Sequence, residues 1–87
     1  MTILRFSALW CPSCLVMKSR WKEVLKTRPD LTVIDYDYDT DDSQVALYRI
    51  GTLLPVAIFL DHEIEIGRIQ GERSVKELKT ILEGFSR

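Results

Sequence analysis

The segment Trp10-Cys11-Pro12-Ser13-Cys14 sets the chain's two cysteines three positions apart. On a helix that spacing puts the second cysteine one turn beyond the first on the same face, so their sulfurs can meet. Disulfide exchange needs such a pair, one thiolate to attack a substrate disulfide and a second thiol to resolve the mixed disulfide. A helix start leaves unpaired N–H groups and a partial positive charge, and both favour thiolate over thiol. Cys11 is therefore the expected nucleophile and Cys14 the resolving thiol. Pro12 suits a first helical turn and donates no N–H, and the Ser13 hydroxyl is expected to hydrogen-bond toward a sulfur. Trp10 reads either as an apolar wall beside the exposed sulfur or as a plain packing aromatic.

The elements on either side can deliver that geometry. Ile3, Leu4, Phe6 and Ala8 form a short buried strand running into the cysteines. From Pro12 the apolar stripe Leu15, Val16, Met17, Trp21, Val24 and Leu25 predicts a helix over 12–27, ended by Pro29. Leu31 to Tyr38 alternates with period two and reads as a second strand. Asp41-Asp42-Ser43-Gln44 offers carboxylate caps to a short helix through Val45, Leu47 and Tyr48, with Gly51 as its stop. Val56 to Leu60 and Glu63 to Ile69, joined by Asp61-His62, predict an antiparallel hairpin with a bulge or crowded spot at Gly67. Ser74-Val75-Lys76-Glu77 is a capping box opening a last helix striped by Val75, Leu78, Ile81, Leu82 and Phe85. The order is βαβαββα, an α/β fold. Its first two strands must be parallel through a right-handed crossover, so the sheet is mixed.

The 87 residues are 46% apolar and 29% charged, which bounds the chain to one small domain, residues 1–87, with a single core. A net charge of -1 with interspersed signs provides no field for nucleic acid or anionic lipid. No apolar run approaches the roughly 20 residues that span a bilayer, and Met1 to Phe6 is too short for a signal peptide. The expected location is the cytoplasm, where an isolated C-x-x-C reads as chemistry rather than as a structural bridge.

Two other uses of the cysteine pair stay open, metal binding and a redox-linked interaction module. A closed zinc site needs four ligands, and beyond the cysteines only His62 offers a third, in a hairpin turn. Leu9 stands where copper chaperones carry Met. The acidic run Asp35, Asp37, Asp39, Asp41 and Asp42 fails as a calcium loop, with Thr40 at the sixth place and Ala46 at the twelfth. No metal or cofactor is expected.

Phe6 to Cys14, together with Tyr48 to Pro55 leading into a hairpin, Gly71 and a final helix, resembles the thioredoxin family over nearly the whole chain. The resemblance implies a three-layer fold with a four-stranded mixed sheet flanked by helices. It implies an electron-carrying thiol–disulfide oxidoreductase that reduces protein or small-molecule disulfides, is recycled by a reductase or glutathione, and works as a monomer. It also implies a cis proline at Pro55 facing the cysteines, with Leu54 and Pro55 as the recognition edge and Trp10, Pro12 and Ser13 beside it.

The chain departs from the family pattern in several places. Only ten residues precede Cys11, where typical thioredoxins carry a further strand and helix. Pro-Ser replaces the thioredoxin Gly-Pro. Leu53-Leu54-Pro55 and Gly71-Glu72-Arg73 stand where glutaredoxins hold glutathione. Thioredoxins place a buried Asp six residues before the first cysteine and a Lys on the adjacent strand, and here those places hold Arg5 and Asp35. The exchanged charges are expected to pair across neighbouring strands beneath Cys14, with Asp35 handling the Cys14 proton. The alternative is two solvated charges at the sheet margin.

Overall fold

The computed structural model describes residues 1–85. Its elements are β1 (Thr2–Ser7), α1 (Pro12–Leu25), β2 (Thr32–Asp37), α2 (Asp42–Leu47), β3 (Val56–Asp61), β4 (Ile64–Gln70) and α3 (Val75–Phe85). The sheet order is β2-β1-β3-β4. β1 pairs parallel with β2 through the α1 crossover and antiparallel with β3, and β3 and β4 form the hairpin. The expected four-stranded mixed sheet is present, and its central strand β1 carries the chain to the cysteines.

The period-two alternation of the strands feeds two cores. Ile3, Ala57 and Phe59 pack with Met17, Trp21 and Val24 of α1 and with Leu78 and Leu82 of α3. Leu4, Phe6, Val56 and Ile58 face the other way, where Val45 and Tyr48 from the α2 region and Tyr36 cover them. α2 contributes no fully buried residue of its own.

Several local expectations need correction. α1 stops at Leu25 rather than 27, because the Thr27 amide and hydroxyl both donate to the Val24 carbonyl, at 3.1 and 2.8 Å. α2 is ended not by Gly51 but by Arg49, which takes the left-handed conformation at φ 54°. Ile50 N–H then reaches the Val45 carbonyl and Arg49 N–H the Ala46 carbonyl, which satisfies the last carbonyls of the helix. Asp41 sits at the N-cap of α2, yet its carboxylate accepts from the Asp37 amide at 2.7 Å instead of from the helix. Asp37 in turn accepts from the Asp39 and Thr40 amides, so these carboxylates tie the β2–α2 loop together.

The hairpin turn is His62-Glu63 rather than Asp61-His62. Both residues have positive φ, 51° and 67°, as a two-residue type I′ turn requires. The bulge falls as expected beside Gly67: Phe59 pairs with Gly67 and Leu60 with Glu65, which leaves Ile66 as the extra residue. Gly67 is also crowded, since a Cβ there would lie 2.8 Å from Cζ of Phe85. The Ser74–Glu77 capping box forms reciprocally at 3.3 and 3.1 Å.

Candidate active site

Cys11 is itself the N-cap of α1. Its extended backbone (φ -97°, ψ 109°) turns the sulfur back over the first helical turn, where Sγ accepts the Cys14 N–H at 3.2 Å. Sulfur thus takes the place usually filled by a Ser or Asp oxygen, and a thiolate accepts such a bond better than a thiol. Both thiols are free and largely covered, Cys11 being 6% and Cys14 7% exposed. Burial, followed by the hydrogen bond with Cys11, pushes the Cys14 thiol up to about 11. Removing its proton therefore needs help at neutral pH.

The remaining motif residues are fixed from outside the helix. Trp10 is 60% exposed, its ring edge rests on Tyr38, and its Nε1 donates to Asp39 Oδ2 at 2.8 Å. These contacts hold it on the surface rather than in the core. Pro12 occupies the first helical position and is exposed. The Ser13 hydroxyl does not turn toward a sulfur as expected; it donates to Glu72 Oε2 at 2.8 Å, across 59 positions of sequence. Glu72 also faces Arg20, with Nη1 3.6 Å from Oε1, and Arg20 donates to the Arg73 carbonyl. The Arg73 amide reaches Met17 Sδ at 3.3 Å, which ties the loop after Gly71 to α1.

Opposite the motif, the Leu54–Pro55 peptide bond is cis. The Leu54 side chain is buried in the cluster that holds both cysteines. Its backbone makes no hydrogen bond to another described residue, whereas the Pro55 carbonyl accepts from Gly71 at 2.8 Å. Leu9 and Leu53 add exposed apolar surface to this end of the molecule.

Behind the cysteines a cavity of about 260 Å³ opens between α1 and the sheet, and its lining includes Cys14, Pro55, Trp21, Arg5 and Asp35. Arg5 and Asp35 do pair across β1 and β2. The fork is bidentate, Nε to Oδ1 at 2.6 Å and Nη2 to Oδ2 at 2.8 Å. The pair is not a buried one: the Arg5 side chain is 21% exposed and that of Asp35 62%. Among the described residues neither bonds to a sulfur, so the cavity is what joins them to Cys14. No group of three or more His, Cys, Asp or Glu side chains is arranged to hold a metal among the described residues.

The thioredoxin family profile matches residues 1–84 of this sequence. The chain belongs to the thioredoxin family. That places it among thiol–disulfide oxidoreductases. Thioredoxin 1 from Thermosipho africanus superposes with a TM-score of 0.83 at 27% identity, covering 98% of this chain and 93% of that one. Thioredoxin-2 of the malaria parasite gives a TM-score of 0.88 at 20% identity, over 95% of this chain and 81% of its own. Thioredoxin O2 from Arabidopsis thaliana gives 0.84 at 22% identity, over 99% and 75%. No curated protein matches the sequence at a significant level. No described helix of this thioredoxin-family chain is long and apolar enough to cross a membrane.

Proposed function

We propose that the chain reduces disulfides of proteins by dithiol exchange, Cys11 being the attacking and Cys14 the resolving thiol. The observation that carries this reading is the Cys11 sulfur at the N-cap of α1, accepting the amide of the very cysteine that must later attack it. The Cys11 thiolate attacks one sulfur of the substrate disulfide and expels the other as a thiolate. Cys14 gives up its proton and attacks Cys11 Sγ, which closes the Cys11–Cys14 bond and releases the second substrate thiolate. Two electrons pass to the substrate, and a reductase or glutathione returns them.

Trp10, Pro12, Leu54 and Pro55 frame the approach to Cys11. The unpaired backbone of Leu54 suits an extended substrate segment, which would add main-chain hydrogen bonds beside the sulfur. A reducing compartment such as the cytoplasm and a monomeric state fit a free dithiol. Asp35 takes the Cys14 proton through water in the cavity, and Arg5 keeps the carboxylate turned to that wall.

Insulin reduction followed by turbidity, with either thioredoxin reductase or glutathione as electron source, tests activity and identifies the recycling system together. Turnover with one of them is expected, and none with either contradicts the reading. Resolution of the mixed disulfide should accelerate with rising pH, because burial holds the Cys14 thiol protonated, and Asp35→Asn should slow it near pH 7. An unchanged rate and pH profile in that variant removes Asp35 from the mechanism.

A further inference from the structure

The loop after β4 reaches back to the redox motif through one carboxylate. Glu72 Oε2 takes the Ser13 hydroxyl at 2.8 Å, while Oε1 faces the Arg20 guanidinium at 3.6 Å. Ser13 stands between the two cysteines, and Arg20 lies two turns further along α1. The chain Ser13–Glu72–Arg20 is thus a linear arrangement of donor, anion and cation ending at the helix start that carries Cys11. We propose that Glu72 is a positioning residue that sets the redox poise of the cysteine pair, holding it toward the reducing side.

The sign follows from simple electrostatics. In the exchange with glutathione, the Cys11–Cys14 disulfide and two glutathione thiols give the Cys11 and Cys14 thiols and one glutathione disulfide. Whatever stabilises negative charge on Cys11 favours the dithiol side and makes the pair a stronger oxidant. Glu72 works against that charge in three ways at once. Its carboxylate adds a negative charge beside the motif, it neutralises Arg20, and it holds the one motif hydroxyl away from sulfur. Removing Arg20 instead leaves the Glu72 charge uncompensated and shifts the balance the other way.

This inference rests on Cys11 and Cys14 forming an exchanging pair. The test is the equilibrium constant with glutathione, read by alkylation of remaining thiols in buffers of fixed ratio of reduced to oxidised glutathione. Glu72→Gln, which keeps an acceptor for Ser13, should favour the dithiol about three- to tenfold, a rise in potential of roughly 15–30 mV. Arg20→Gln should move the constant in the opposite direction by about twofold. Glu72→Ala in a Ser13→Ala background should shift less than Glu72→Ala alone, because no hydroxyl is left to turn toward sulfur. A structural role would move thermal stability in both single variants and give no opposed pair of shifts in the constant. Equal constants in wild type, Glu72→Gln and Arg20→Gln, or shifts of the same sign in both, overturn the inference while leaving the exchange reading intact. A wild-type chain that forms no Cys11–Cys14 disulfide overturns both.

Discussion

The two faces of the sheet are built from the same four strands and differ in what covers them. On one face α1 and α3 enclose Ile3, Phe59, Val24 and Leu78 completely, and Trp21 and Phe85 tilt against Phe59 at ring-centroid distances of 6.2 and 4.8 Å. On the other, the six-residue α2 lies over Phe6 with half-buried Tyr36 and Tyr48, whose rings are 5.1 and 6.0 Å from it. The cluster on the thick face contains neither cysteine, although Cys14 lines the cavity between α1 and that face. Both cysteines, 6% and 7% exposed, belong to the cluster of the thin face. One core is closed over by two helices, and the other contains both sulfurs under a single short helix.

The largest effect is expected from Phe59→Ala. Phe59 is fully buried in the thick core, so its truncation should cost about 3–5 kcal/mol in denaturant unfolding, and a cost below about 1 kcal/mol would deny that this face anchors the fold. The thin face should respond to pH. The folded chain keeps the Cys14 proton up to about 11, against 9.0 for a free thiol, so between those values the unfolded state binds fewer protons. Stability of the reduced protein is complete below pH 9 and falls by up to about 3 kcal/mol as pH rises through 11. Cys14→Ser should flatten that decline in thermal melts.

Two smaller effects are expected, one within β4 and one at the end of α2. Gly67→Ala on β4 pushes a methyl into the Phe85 ring, and should cost about 1 kcal/mol in chemical denaturation by lifting Phe85 from Phe59. Arg49→Gly, at the left-handed end of α2, relieves a conformation that costs a side chain energy and should raise stability by about 0.5 kcal/mol. A loss of stability in that variant would mean that the Arg49 side chain supports the thin face.

Most of this architecture is legible in the sequence, because it rests on local signals. The period-two runs of β1 and β2, the stripe of α1, the Ser74–Glu77 box and the C-x-x-C at a strand-to-helix boundary each act within a few residues. The pairing of Arg5 with Asp35 is legible too, since register between neighbouring strands places them opposite each other. What sequence hides is how exposed that pair is, because exposure depends on what covers the sheet edge. It hides the Ser13–Glu72 bond for the same kind of reason: no pattern links two residues 59 positions apart, and a Ser between two cysteines points first to sulfur. Gly51 misleads as the stop of α2 because glycine is the usual left-handed residue, while here the two hydrogen bonds to Val45 and Ala46 hold Arg49 in that role.

In the proposed exchange, two sulfurs one helical turn apart divide the roles of attack and resolution. Trapping separates those roles: Cys14→Ser is incubated with a disulfide-bonded protein, and the adduct is mapped by peptide mass spectrometry. A stable mixed disulfide on Cys11, absent from wild type because Cys14 resolves it, is the predicted result. Adduct formation at Cys14 in a Cys11→Ser chain at a comparable rate, or release from the Cys14→Ser adduct as fast as in wild type, would contradict it.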